Sequence, residues 1–409
     1  MAAMASEVLS VQCCIAGGGP AGMMLGLLLA RAGVSVIVLE KHHDFLRDFR
    51  GDTLHPSTME IMHELGVLER FLQLPHQKVP RINGRFGDLA FTVADFSHLP
   101  TQCRYVAFMP QWDFLNFLVE VGSWYPAFQV RMSAEVTDLI EDRGSVVGLR
   151  AETARGSMEV RAALVVGADG RQSVVRSRAG LSVEEFGAPM DVLWFRLSRR
   201  PSDPVDPMGR FDVGRIFIML NRSDYWQCGF VIAKGSRDEI LAQGLPAFRD
   251  SVAKLAPFAA DRVHELQDWE PIKLLTVQVD RLHQWYRSRL LCIGDAAHAM
   301  SPVGGVGINL AIQDAVATAN LLAIPLREGR LTTRDLRLVQ ARRAWPTKMT
   351  QRVQLMIQNR IIKRVLGSSD RLPPPLAFRL IARFPFLRRL PARIIGLGFR
   401  PEHVRTPAV

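Results

Sequence analysis

Residues 11–40 constrain the fold of this chain more than any other stretch. An apolar run at 11–16 leads into Gly17-Gly18-Gly19-Pro20-Ala21-Gly22, and a helix-like segment follows to about residue 32. Gly33 stops it, and a second apolar run at 34–39 ends on Glu40. This is G-x-G-x-x-G between a strand and a helix, with an acid 18 residues past the last glycine. A dinucleotide site needs that context. Gly17 permits the tight turn, Gly19 lets a pyrophosphate approach the backbone, and Gly22 lets helix and strand pack closely. The phosphates then meet the helix N-terminus at Pro20 and Ala21. Glu40, with Lys41 beside it, stands where a carboxylate accepts hydrogen bonds from an unphosphorylated adenosine ribose. The plainer alternative is a glycine-rich turn with no ligand.

Composition sets the outer limits. A chain of 409 residues that is 48% hydrophobic can bury a large core and is expected to form more than one domain. The net charge of +11 comes with no basic run interleaved with aromatics. That argues against nucleic acid and for anionic cofactors or substrates. The five cysteines form no C-x-x-C pair, so buried free thiols in a reducing cytoplasm are expected. Residues 13–30 carry no charge, but five glycines and a proline interrupt them and no basic segment precedes them. A nucleotide turn in a soluble protein explains them better than a membrane span or signal peptide. His42-His43-Asp44 has no partner cluster elsewhere, and no metal is expected.

Further along, residues 47–56 read as a polar loop carrying Arg50, either a surface arginine or one that reaches a cofactor phosphate. Ser57 is expected to cap a helix that ends at Gly66. Short β-like pieces at 85–93 and 104–109 mark a departure from the nucleotide domain. Gln111 starts a helix with Leu115, Leu118, Val119 and Gly122 on one face. Strands at 128–132, 135–141, 146–153 and 157–161 suggest a meander. A second signal follows at 162–176, where an apolar run ends in Ala168-Asp169-Gly170 before a helix with Ser173 and Arg176 on its early turns. Open α/β sheets bind ligands at such strand ends, although Asp-Gly is also a common turn. Residues 186–282 form a β-rich region with strands at 192–197, 215–220, 225–233 and 272–279 and a helix at 246–255. Its aromatics, Trp194, Phe217, Tyr225 and Trp226 among them, are either core or the lining of a pocket for a flat molecule.

The third signal is the apolar run at 290–293 closed by Gly294-Asp295. A loop with Pro302, Gly304, Gly305 and Gly307 follows, and then a helix from about Asn309 to Leu322. The loop glycines let the main chain approach a planar ring, and the helix start favours an anion. Taken in this order, the three signals resemble the single-component FAD-dependent aromatic hydroxylases, the para-hydroxybenzoate hydroxylase-like flavoprotein monooxygenases, over residues 11–322. The resemblance implies non-covalent FAD, with the adenosine half on Gly17, Gly19, Pro20, Ala21, Gly22, Glu40 and Lys41. Arg50 and Gln111 would contact FAD, and Asp169 would be shared between FAD and the nicotinamide donor. Asp295 would hold the ribityl chain, and Pro302, Gly305, Gly307, Ile308, Asn309 and Leu310 would flank the isoalloxazine.

The implied function is NADPH- or NADH- and O2-dependent hydroxylation of a small aromatic or polycyclic compound through a flavin C4a-hydroperoxide, by a cytoplasmic monomer or homodimer. Flavin would carry the oxygen, so no catalytic side chain is singled out beyond the flanking Pro302 and Gly305. A reductase of the geranylgeranyl-reductase type and a non-catalytic flavin-binding regulator are the alternatives. No second G-x-G-x-x-G follows a strand, so the donor would bind transiently. The expected architecture is α/β. A doubly wound FAD domain (1–74, 106–180 and 283–345) would carry an inserted β-rich substrate domain (75–105 and 181–282) and a helical C-terminal region (346–409). The basic, proline-broken tail from residue 372 reads either as helices packed over the cofactor domain or as a weak membrane-surface contact.

Overall fold

The computed structural model describes residues 7–46 and 53–409; Arg50 lies outside the described residues. Glu7–Ala16 is the axis of the first sheet, parallel to Gly156–Gly167 on one side and to Val36–Leu39 on the other. Leu290–Cys292 and Phe128–Arg131 extend that parallel order outward. The ends of the central strands are buried on both faces, which is why they read as unbroken apolar runs. The sequence suggested two pieces at 157–161 and 162–167, but the structure has one twelve-residue strand, Gly156–Gly167. Its first half alternates and pairs antiparallel with Ser145–Thr153, while its second half enters the core beside Leu290–Cys292. The change in pattern marks a change of cover within one strand.

Helices Pro20–Arg31 and Gly307–Arg327 pack together on this sheet. Among the described residues, 303–327 is the one helical stretch long and apolar enough to cross a membrane, and it is mostly buried in the protein. Two helix starts differ from expectation. The first belongs to Pro56–Glu64, which begins on its proline with His55 before it, so Ser57 lies inside the first turn and caps nothing. Proline's fixed φ suits a first helical position and its missing N–H costs nothing there. The second is the helix expected from Asn309, which begins at Gly307 and runs on to Arg327.

The second sheet has seven strands in the order Lys273–Leu275, Met190–Ser198, Tyr225–Ala233, Arg215–Asn221, Met208–Asp212, Arg81–Phe86 and Leu89–Asp95. The pair Met208–Asp212 and Arg81–Phe86 is parallel and the others are antiparallel. One face carries Phe195, Phe217, Trp226 and Phe230 under the helix Leu245–Leu255. The other face carries Val192, Ile216 and Val231, with Trp194 and Val303 packed on the same cluster. The C-terminal helices Leu376–Arg383 and Arg389–Gly396 lie on Leu89–Asp95 of this sheet, not on the nucleotide-binding sheet as one reading of the sequence had it. Phe378 is the reason, stacked on Phe91 with ring centroids 4.5 Å apart.

Candidate cofactor site

The carboxyl ends of four adjacent parallel strands bring the three sequence signals together. Gly17 N–H donates to the Leu39 carbonyl at 2.8 Å, Ala168 N–H to Ala16 at 2.8 Å, and Ile293 N–H to Gly167 at 2.9 Å. The loops that follow each strand therefore leave one edge of the sheet side by side, where ligands bind in open parallel sheets.

The three fingerprint glycines are needed for different reasons. Gly17 has φ +100°, and a Cβ there would lie 2.4 Å from the Ala168 carbonyl oxygen. At Gly22 a Cβ would lie 2.0 Å from the Gly17 oxygen. Both are therefore fixed by the protein itself. Gly19 is different: its φ is −74° and, among the described residues beyond its chain neighbours, no atom lies within 4 Å of the position a Cβ would take. Ordinary backbone facing open space gives the fold no reason for a glycine, whereas a pyrophosphate lying against the main chain does. The helix behind it has proline first, no side-chain cap and no acid in its first turn, so its N–H groups face the same space. The residues present fit FAD. Glu40 is buried, and its two oxygens accept from Gly18 N–H at 2.9 Å and His42 N–H at 3.1 Å. A carboxylate oxygen can accept more than one hydrogen bond, so a ribose hydroxyl is compatible with these contacts. Lys41 is exposed at the rim.

Asp169 is half-buried and turned toward its own helix. Ser173 donates to one oxygen and Val175 N–H to the other, at 3.1 Å. Burial pushes its carboxyl above the usual range, and the hydrogen bonds offset only part of that. Arg171, which the sequence reading passed over, joins the second and third signals: its Nε lies 3.3 Å from Asp295, and its Nη1 donates to the Thr276 carbonyl at 3.2 Å. Gly294 sits where Ala21 and Ala311 converge, so the third loop abuts the first helix. Gln111 begins its helix half-buried, and its amide has no hydrogen-bond partner among the described residues.

The loop from Pro302 to Asn309 is held from two sides. Asn309 Oδ1 accepts from His55 N–H at 2.8 Å and the Thr58 hydroxyl at 2.6 Å, and Thr53 donates to the Gly305 carbonyl at 3.0 Å. Opposite, Gln354 donates to the carbonyls of Ser301 and Val303 at 2.8 and 2.9 Å, between Gln351 on Ala299 and Gln358 on the Ser301 hydroxyl. These glutamines are spaced three and four apart, on one helical face. Nothing caps the helix that Gly307 and Ile308 begin, leaving its N–H groups for a ligand.

His55 Nδ1 lies 2.7 Å from the Ile395 carbonyl. Burial moves its imidazole from 6.5 down to about 4, and the bond to Ile395 offsets part of this. Between those values the unfolded chain binds a proton that the folded chain does not. Stability should therefore fall as pH drops through that window, by up to about 3 kcal/mol. Urea midpoints should fall more steeply with acid in the wild type than in His55→Gln; parallel slopes would contradict this.

A buried charge network lies behind the third loop. Asp314 is fully buried and accepts from Gly294 N–H at 3.1 Å, His298 Nε2 at 2.6 Å and Arg343 Nε at 2.8 Å. Burial alone would raise its carboxyl, but His298 and Arg343 hold it below the usual range. Arg343 reaches on to Glu402, which Arg342 also grips at 2.7 and 3.0 Å. The sequence held a signal for this. Asp314 is the one Asp, Glu, Lys or Arg between Asp295 and Arg327, and a lone charge in an apolar helix must find a buried partner.

The aromatic candidates divide by face. Phe217 and Trp226 are fully buried under Leu245–Leu255, with Trp226 Nε1 donating to Asp203 at 2.9 Å. They belong to the core of this domain. Strand alternation places neighbours on opposite faces, so Trp194 instead joins the cluster that includes Val303. Tyr225 is half-buried beneath the Arg196 guanidinium, 4.8 Å from its ring centre.

The family described as FAD binding domain matches residues 10–353. The chain is 32% identical over 395 residues to 6-methylpretetramide 4-monooxygenase of Streptomyces rimosus, covering 96% of this chain and 94% of that one. It is 30% identical to rifampicin monooxygenase of Streptomyces venezuelae over 74% of its length, and that alignment spans 61% of the longer relative. Among solved structures, p-nitrophenol 4-monooxygenase of Pseudomonas putida superposes with a TM-score of 0.79 at 21% identity, covering 96% of this chain and 100% of that one. The α/β fold is shared with these flavoproteins. The chain belongs to the FAD binding domain family and is an FAD-dependent monooxygenase.

Proposed function

We propose that this chain hydroxylates an aromatic or polycyclic compound, with NADPH or NADH as donor and O2 as the oxygen source. The observation that carries the reading is the open space at Gly19 on the same sheet edge as the Asp169 and Asp295 loops. Bound FAD would supply hydride acceptance from the donor and activation of O2. The protein's own part is placement. Gly17, Gly19 and Gly22, with the bare helix start, would cradle the pyrophosphate. Glu40 would hold the adenosine ribose and Asp295, oriented by Arg171, the ribityl chain. Gln111 offers its unpartnered amide. The uncapped helix at Gly307 would offer its positive end to a flavin ring carrying negative charge, and Trp194 and Val303 would help to exclude water. Asp169 fixes its loop through Ser173 and Val175 and keeps lone pairs for the path of the nicotinamide donor.

The substrate class is drawn from the relative named for 6-methylpretetramide, which aligns over nearly the whole chain. The same reading includes the division into an FAD-binding domain (1–74, 106–180 and 283–345), a β-rich substrate domain (75–105 and 181–282) and a helical C-terminal region (346–409), and a cytoplasmic monomer or homodimer. The test is NAD(P)H oxidation by the FAD-loaded protein against a panel of phenols and polycyclic aromatics. A panel member should stimulate oxidation and emerge hydroxylated; oxidation indifferent to every compound would count against the reading.

A further inference from the structure

Residues 376–393 have two unlike sides. The inner side is fully engaged. Phe378 stacks on Phe91, Ala392 is fully buried, and the Arg388 guanidinium donates to the carbonyls of Ile381 and Ala382 at 3.3 Å, tying one tail helix to the next. The outer side is apolar and bare: Leu376, Phe386 and Leu390 are 67, 63 and 65% exposed, and Leu380 and Phe384 about 40% (40 and 42%). In Leu376–Arg383 a rotation of about 100° per residue places Leu376 and Leu380 on one stripe and Arg379 and Arg383 on the stripe beside it. Arg379, Arg383, Arg389 and Arg393 are exposed and pair with no carboxylate among the described residues. No Asp or Glu occurs between Asp370 and Glu402.

We propose that this face docks the protein on an anionic lipid bilayer. Short amphipathic helices with arginines flanking an exposed apolar stripe settle at the headgroup boundary, where apolar side chains enter the acyl region and guanidinium groups meet lipid phosphates. A patch of one sign with no acid in it is complementary to such a surface and repels a like patch on a second copy. Pro385 follows the first helix, and Pro391, expected to interrupt a helix, instead lies in the first turn of the second, so two short helices form that can lie in the interface plane. The same tail reaches the cofactor loop: His55, bonded to Asn309, is bonded to Ile395, and a Cβ on Gly304 would lie 4.0 Å from Ile395. Docking would therefore hold the site near the bilayer, where a greasy polycyclic compound partitions. The surface extends the hydroxylation reading but does not depend on its chemistry.

Flotation of the FAD-loaded protein tests this without turnover, so its failure leaves the hydroxylation reading untouched. Phosphatidylcholine vesicles with phosphatidylglycerol should carry the protein upward, phosphatidylcholine alone should not, and salt should release it. Arg379→Gln with Arg383→Gln should weaken binding by about fivefold per arginine. Phe386→Asp with Leu390→Asp should abolish it and leave flavin content and NAD(P)H oxidation unchanged, since both residues are surface-exposed. Absence of flotation, or flotation that ignores headgroup charge, would overturn the proposal. So would a wild-type dimer that Phe386→Asp with Leu390→Asp splits, which would make the face a contact between copies. Binding to an acidic peptide but to no vesicle would assign it to a protein partner and overturn it equally.

Discussion

Replacing Gly19 by valine is expected to leave a folded, colourless protein. The backbone there is ordinary, and the side chain would enter space that no described residue beyond its chain neighbours occupies within 4 Å. The fold should therefore accept the change, with thermal unfolding of the cofactor-free protein within about 1 kcal/mol of wild type, the cost of a poorer residue at the helix N-cap. FAD affinity should fall by on the order of a hundredfold or more, because valine fills the path of the pyrophosphate. Gly22→Val is the contrasting control. Its Cβ would fall 2.0 Å from the Gly17 oxygen, so helix and turn must separate and folding itself should suffer. Flavin absorbance after gel filtration, set beside the unfolding curve, separates the two variants. A Gly19→Val protein that purifies yellow would show that the open space is not where the pyrophosphate lies.

Asp314→Ala is expected to cost about 3–5 kcal/mol, because it leaves the Arg343 charge buried beside Glu402 without its main counter-ion. It also frees Gly294 N–H and His298, so the backbone before Asp295 loses its anchor and FAD occupancy should fall along with stability. Asp314→Asn keeps an acceptor for Gly294 while removing the charge, and should fall between the two. The readout is the urea midpoint together with bound flavin per chain. Equal midpoints for Asp314→Ala and wild type would mean the network contributes nothing.

The parts of this molecule that were legible are those whose physics is local. A glycine turn between strand and helix, and apolar strands ending in Asp169 and Asp295, each need only neighbouring residues to be recognised. Tyr225–Ala233 was bounded correctly because it is a long β-rich run. The parallel pairing of Met208–Asp212 with Arg81–Phe86 was hidden, since its partners are far apart in sequence and prolines precede the strand. A strand expected at 272–279 shrank to Lys273–Leu275, because its later residues leave the sheet. Phe217 and Trp226 shared the aromatic character of Trp194, and only the observed sheet shows which face each occupies. The glutamines at 351, 354 and 358 carry no local signal of their own. Their role depends on a loop some fifty residues earlier that needs its carbonyls satisfied.

Hydroxylation itself is tested most directly by the origin of the oxygen in the product. The FAD-loaded protein is given NADPH, a panel compound that it turns over, and isotopically labelled dioxygen, and the product is weighed by mass spectrometry. The account predicts one labelled oxygen atom per product molecule, with the other atom of O2 leaving as water. Label entering from water, a product that has gained hydrogen and no oxygen, or a product isomeric with its substrate would contradict it.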